Sequence, residues 1–157
     1  MMKQAIFNDL LTFKYPDEFK QLTEKENEKY FSGNLLRLSF HNEDKHLLIS
    51  ISKSKDSFMY RLVGLNTIIS GTMTSLANNL RDYEYIEEVR LNVLDKPAIK
   101  ECFSYMAKDQ DVKQYGELTA FKNKNALYSI YCLSRYEDKE DAKAIFKEFI
   151  DSFEEVK

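Results

Sequence analysis

The stretch NVLDKPAIKECFSY, residues 92–105, reads as two strands meeting at a proline, and it decides the fold. Pro97 has a fixed φ and no N–H to give to a sheet ladder, so it belongs in a turn or at the first position of a strand. Placing the turn at Asp95-Lys96-Pro97 makes EYIEEVRLNVL (84–94) run into AIKECFSYMA (98–107). The pattern then repeats. Lys108-Asp109-Gln110-Asp111 leads to VKQYGELTAFK (112–122), and Asn123-Lys124-Asn125 leads to ALYSIYCLSR (126–135). Connections of about four turn-forming residues are too short for a parallel crossover, so these strands are antiparallel neighbours.

The strand at 126–134 is apolar on both faces. Ala126, Tyr128, Ile130 and Cys132 share one side; Leu127, Ser129, Tyr131 and Leu133 share the other. A strand covered on one side alternates cleanly, so this one is expected in the centre of the sheet with a layer on each side. One layer is a C-terminal helix in KEDAKAIFKEFIDSFEE. Ala142, Ile145, Phe146, Phe149, Ile150 and Phe153 make its apolar stripe, and Asp138, Glu140 and Asp141 sit at its positive end.

The other layer is expected from residues 57–81. Met59, Leu62, Val63, Ile69, Met73, Leu76, Ala77 and Leu80 recur at helical spacing, with Asp56 or Ser57 as N-cap. One helix of that span would be about 37 Å long. Gly64 and Gly71 weaken it, and either a break near Gly71 or a close backbone contact there is expected. Before this helix come strands only: AIF and LLTFKY around an Asn8-Asp9 turn, then NLLRLSF (34–40) and HLLISIS (46–52) joined by HNEDK. The whole is an α+β fold, an α-β-α sandwich whose largely antiparallel sheet is covered by a middle helix and a C-terminal helix.

With 157 residues, 43% of them hydrophobic and 31% charged, a single globular domain over 1–157 is expected. The formal charge of −3 and scattered cations argue against nucleic acid or an anionic membrane surface as partner. No apolar run is long enough for a membrane helix, and Asn8 and Asp9 interrupt any signal-peptide core, so a cytoplasmic protein is the plain reading.

No catalytic, metal or cofactor residue is assigned. Cys102 and Cys132 lie in apolar strands two strand spacings apart, about 9.6 Å, too far for a disulfide. They read as inert core thiols. His41, Glu43, Asp44 and His46 crowd one loop but lack the spacing of a zinc motif, so they read as a polar hairpin. Neighbouring acids point to opposite faces of a strand, so Glu87-Glu88 is a poor acid/base dyad. Glu154-Glu155 falls at a frayed end. None of Gly33, Gly64, Gly71 and Gly116 sits in a phosphate-cradling loop.

Several short motifs resemble the Mog1/PsbP-like superfamily, which includes bacterial domains grouped with DcrB. Tyr15-Pro16-Asp17-Glu18-Phe19 resembles its strand-Pro-aromatic opening, and Lys96-Pro97-Ala98 its turn before a central strand. Ala126-Leu127-Tyr128 through Cys132, followed by Phe149-Ile150-Asp151-Ser152-Phe153, is similar to its closing strand and helix. Phe19 stands where many members have Trp, and Asp95 where Gly is usual. The resemblance implies an α-β-α sandwich and a non-enzymatic habit of binding proteins: a small GTPase, photosystem subunits, or apolar segments of secreted effectors. The matching motifs are structural, so no functional residue carries over.

Three readings of function follow: a protein-binding module, chaperone-like or partner-inhibiting; a small-ligand binder using a cleft between sheet and helix; and an enzyme of unrecognised type. An exposed apolar patch favours the first, an enclosed pocket the second, and a pocket of perturbed acids or bases the third. The first is the reading adopted. Its surface is expected on an open sheet face or groove beside the 57–81 helix.

Overall fold

The computed structural model describes residues 1–31 and 35–156. In chain order it holds β1 (Met2–Phe7), β2 (Leu11–Pro16), β3 (Lys20–Gln21), α1 (Glu24–Tyr30), β4 (Leu36–Asn42) and β5 (Leu47–Lys53). There follow α2 (Met59–Leu62), α3 (Leu65–Asn79), β6 (Arg81–Val93), β7 (Lys96–Met106), β8 (Lys113–Asn123), β9 (Ala126–Arg135), α4 (Lys139–Asp151) and β10 (Glu154–Glu155). Gly33, and Asn34 from the expected strand 34–40, lie outside the described residues.

Pairs of left-handed residues set the tightest hairpins. Leu94 and Asp95 have φ of 55° and 60°, and Val93 lies opposite Lys96. Two positive φ values make the primed turn whose twist matches the strands. The turn is therefore Leu94-Asp95, not Asp95-Lys96-Pro97, and Pro97 sits inside β7. It does no damage there. Val93 and Lys96 flank a two-residue turn, so Asn92 and Pro97 form the next, non-hydrogen-bonded pair with β6. The Pro97 nitrogen faces β8, whose pairing with β7 begins only at Ala98. Asn8 and Asp9, with φ of 54° and 55°, also turn β1 back onto β2, but Phe7 lies opposite Leu11, so that loop holds three residues, 8–10, instead of the expected Asn8-Asp9 pair.

Seven strands form one sheet in the order β3-β4-β5-β9-β8-β7-β6, and β1, β2 and β10 form a second. Every pairing is antiparallel. The expected meander is β6 to β9, and β9 is central as its two apolar faces required. Glu154 and Glu155 are not frayed: they pair with Thr12 and Leu11 of β2.

One face of the large sheet carries Ile49, Ile51, Phe121, Tyr128, Ile130 and Cys132, all at most 1% exposed. It is covered jointly by α4 and the small sheet. Phe13 of β2 meets the ring of Phe149 at 5.3 Å and that of Phe153 at 5.1 Å. The stripe on α4 thus falls where its spacing placed it, with Ala142, Phe146, Phe149 and Ile150 buried.

The opposite face is covered more thinly. Residues 57–81 do not make one helix. The chain breaks at Val63-Gly64, where both residues are extended, and Gly64 caps α3. Gly71 neither breaks the helix nor meets anything within 4 Å. α3 buries only Ile69, against Ile99 and Ala120, with Leu65, Met73 and Leu127 alongside. Further along this face the Phe103 ring lies over Gly116 of β8, where a Cβ would come within 2.6 Å of its Cζ. Gly116 is the clearing that lets a fully buried ring lie flat on the sheet, stacked on Tyr83 and Tyr105.

α1 was not anticipated from the sequence. Its signal is the capping box Thr23-x-x-Glu26: Glu26 N–H donates to Thr23 Oγ1 at 3.2 Å, and Thr23 N–H donates to Glu26 Oε1 at 3.0 Å.

Candidate functional site

An open cleft of about 670 Å³ lies where the ends of both sheets meet. Its floor is Leu11, Ala126 and Tyr128, all part of the main core. Its walls come from four chain segments: Lys53 and Asp56 after β5, Arg61 on α2, Lys96 at the start of β7, and Asn123, Lys124 and Asn125 in the β8–β9 turn. Leu10 and Val156 form an exposed apolar rim, tied together by Val156 N–H donating to the Leu10 carbonyl at 2.9 Å.

The cations in this cleft are of two kinds. Lys53 pairs with Asp56 at 3.0 Å and Lys96 faces Glu155 at 3.9 Å. Arg61 and Lys124 have no ion-pair partner among the described residues. Asn125 Oδ1 is buried and has no donor among the described residues.

α2 stands on the rim of this cleft. Ser57 N–H donates to the Asn125 carbonyl at 2.8 Å, and Ser57 Oγ accepts from Met59 N–H at 3.3 Å. The turn so fixed points three apolar side chains outward. Phe58 is 65% exposed, Met59 60% and Leu62 71%. A contiguous outward apolar ridge is the surface feature that marks an interaction site.

A second, shallower groove of about 370 Å³ runs between α3 and the β6–β7 pair. Ser70, Met73, Thr74 and Ala77 line one side, and Tyr85, Glu88 and Glu101 the other. Glu88 and Glu101 are direct cross-strand partners. Burial, and next the neighbouring Glu88, push the Glu101 carboxyl up to about 7, while Glu88 is held below the usual carboxylate range by its contacts with Glu101 and Arg90. Arg90 Nη2 donates to Glu88 Oε2 at 3.1 Å and to Asn66 Oδ1 at 2.6 Å. The pair therefore keeps a proton on the acid side of about pH 7 and gives it up as pH rises through that value.

The residues singled out in the sequence fall elsewhere. The register sets Glu117 between Cys102 and Cys132, which are buried and unbonded. Burial pushes both thiols up, the opposite of an activated nucleophile. Glu117 is itself buried and pushed up by burial; Tyr115 Oη–H donates to its Oε2 at 2.7 Å. From the polar hairpin only His41 and Glu43 come together, with Glu26 of α1 as third member, their ligand atoms within 4.8 Å of one another. Asp44 and His46 stand outside that group, and Glu26 is already engaged in the cap of α1. The groupings that sequence reading missed, Arg61 with Lys124 and Glu88 with Glu101, are assembled from segments far apart in the chain.

The profile of the PsbP-like protein family matches residues 5–154. No curated protein sequence matches the chain. Among solved structures, cyanobacterial PsbP (CyanoP) of Synechocystis superposes with a TM-score of 0.72 at 13% identity, covering 99% of this chain and 92% of that one. The Ran-binding protein Mog1p of Saccharomyces cerevisiae gives 0.58 at 10% identity, covering 98% and 95%. LpqN of Mycobacterium tuberculosis, involved in cell envelope biogenesis, gives 0.55 at 9% identity, covering 100% and 91%. At these identities the likeness is one of fold. It spans nearly the whole chain, as the sequence motifs implied.

Proposed function

The chain belongs to the PsbP-like family, and we propose that within it this protein is a non-enzymatic, cytoplasmic protein-binding module. The observation that carries the reading is the ridge of Phe58, Met59 and Leu62 on α2, at the rim of an open cleft. Burying such side chains on a partner is worth about 1.5–3 kcal/mol each, enough to drive association once their ordering is offset. The ridge suits a chaperone-like or partner-inhibiting role, in which apolar segments of another protein are covered. Mog1p, of similar fold, is by its name a Ran-binding protein.

The test is capture of the native partner by the intact protein and by a Phe58→Asp/Leu62→Asp variant. The variant loses capture while its melting temperature stays within error of the parent, because both side chains are exposed. Unchanged capture by the variant would remove the ridge from the account. Conversion of a bound metabolite by the purified protein would remove the module reading altogether.

The small-ligand alternative has one observation in its favour, a groove under α3 in which Glu101, its carboxyl raised by burial, stands beside Met73 and Tyr85. Its mark would be a ligand whose binding is lost on Glu101→Gln while the α2 ridge is intact.

A further inference from the structure

We infer that the cleft beside α2 receives an acidic, extended segment of a protein partner, whose carboxylates meet Arg61 and Lys124 while its apolar side chains rest on Phe58, Met59 and Leu62. The inference rests on the protein-binding reading and gives that partner a chemistry.

Charge comes first. Lys53 and Lys96 are matched by Asp56 and Glu155, so the cleft-lining cations without an ion-pair partner among the described residues are Arg61 and Lys124, in a chain of formal charge −3. A local surplus of cations on an acidic protein steers in anions and sets the register of the bound segment. Arg61 sits on α2 itself, one residue before Leu62, so the charged contact and the apolar contact arise from the same short turn. An occupant must therefore alternate acids with apolar side chains.

The second observation is the ridge. Phe58, Met59 and Leu62 are exposed on the same turn that carries Arg61. A small anion has nothing to lay on them, whereas a protein segment brings apolar side chains together with its carboxylates. An anionic bilayer, the other surface that could take both an apolar ridge and cations, would also have to tolerate Asp56 and Glu155 at the contact.

The experiment selects binders to the full-length protein from a random peptide library on phage. Enriched sequences are expected to carry net negative charge and at least one aromatic or aliphatic anchor. The best of them, labelled, is then titrated by fluorescence anisotropy. Arg61→Glu/Lys124→Glu is expected to weaken it at least about tenfold and to flatten its salt dependence. Phe58→Ala/Leu62→Ala is expected to weaken it severalfold with the salt dependence kept. Enrichment of neutral or basic sequences, no enrichment, or indifference to the charge reversal overturns the inference. So does binding to phosphatidylglycerol vesicles that the peptide does not compete away. A native partner lost on Phe58→Asp/Leu62→Asp but not on the charge reversal leaves the module reading standing and sinks this one; a partner lost on neither sinks both.

Discussion

The two faces of the seven-stranded sheet are covered by helices of similar length and unequal grip. α4 buries Ala142, Phe146, Phe149 and Ile150 and shares its layer with the small sheet. α3 buries Ile69 alone. The difference lies in where each helix keeps its charges. α4 carries acids and lysines on the side away from its stripe, so only one face can go down. α3 reads LNTIISGTMTSLANN, with no charged residue, and polar and apolar positions are less sharply segregated around it. A helix that is mildly acceptable to water on every side is weakly oriented. On the same face Leu127, Tyr131 and Leu133 of β9 are only partly buried, whereas Ser39 of β4 and Leu48, Ser50 and Ser52 of β5 are buried.

The largest effect that would test this contrast is truncation at the matched positions. Phe149→Ala is expected to cost about 3–5 kcal/mol and Ile69→Ala about 2 kcal/mol, both read from denaturant melts. Equal losses would show that α3 grips as firmly as α4. Hydrogen exchange on the parent protein should show α3 amides opening well below the global unfolding free energy and α4 amides near it.

A pH series sharpens the same comparison at the thin layer. The Glu101 carboxyl is raised from 4.5 to about 7 in the folded protein by burial and then by Glu88. The native state thus keeps a proton that the unfolded chain gives up near 4.5. The stabilisation is complete below that value and is lost as pH rises through about 7. Glu101→Gln should therefore melt higher than the parent above pH 7, the gap closing as the solution is acidified. A parent melting temperature flat from pH 5 to 8 relative to the variant would mean that the two carboxyls do not share a proton.

The smallest effect runs the other way. Gly71 lies inside α3 with open space at its Cβ position, so Gly71→Ala should stabilise by about 0.5–1 kcal/mol. A loss instead would show that the α3 backbone sits closer to the sheet than its shallow burial implies.

What the sequence made legible follows the range of the cause. The meander, the central β9 and the stripe on α4 rest on local periodicity, and all three stand in the structure. The turn before Pro97 was displaced by one residue because leucine is an unexpected occupant of positive φ, yet Leu94 takes it. That slip hides a site: Glu88 and Glu101 are equidistant from Leu94-Asp95, and only the correct turn shows them facing each other. The break at Gly64 rather than Gly71 had a local signal of the right kind, a glycine, but nothing local ranks the two. The cleft had no sequence signal at all. Its cations stand at 53, 61, 96 and 124, and only the pairing of β5, β9, β8 and β7 in one sheet, with α2 beside its end, brings them together.

β6 forms the outer edge of the large sheet and is 13 residues long, with register shifts between Arg81 and Glu84 and between Tyr85 and Glu87. A free edge of that length is a template on which another chain could add a strand. The shifts interrupt the straight row of unpaired amides, and Glu84, Glu87, Glu88 and Arg90 line it with charge. The opposite edge, β3, is only two residues long. The long edge thus carries features that oppose edge-on pairing with another chain, and the short one offers little strand to pair with.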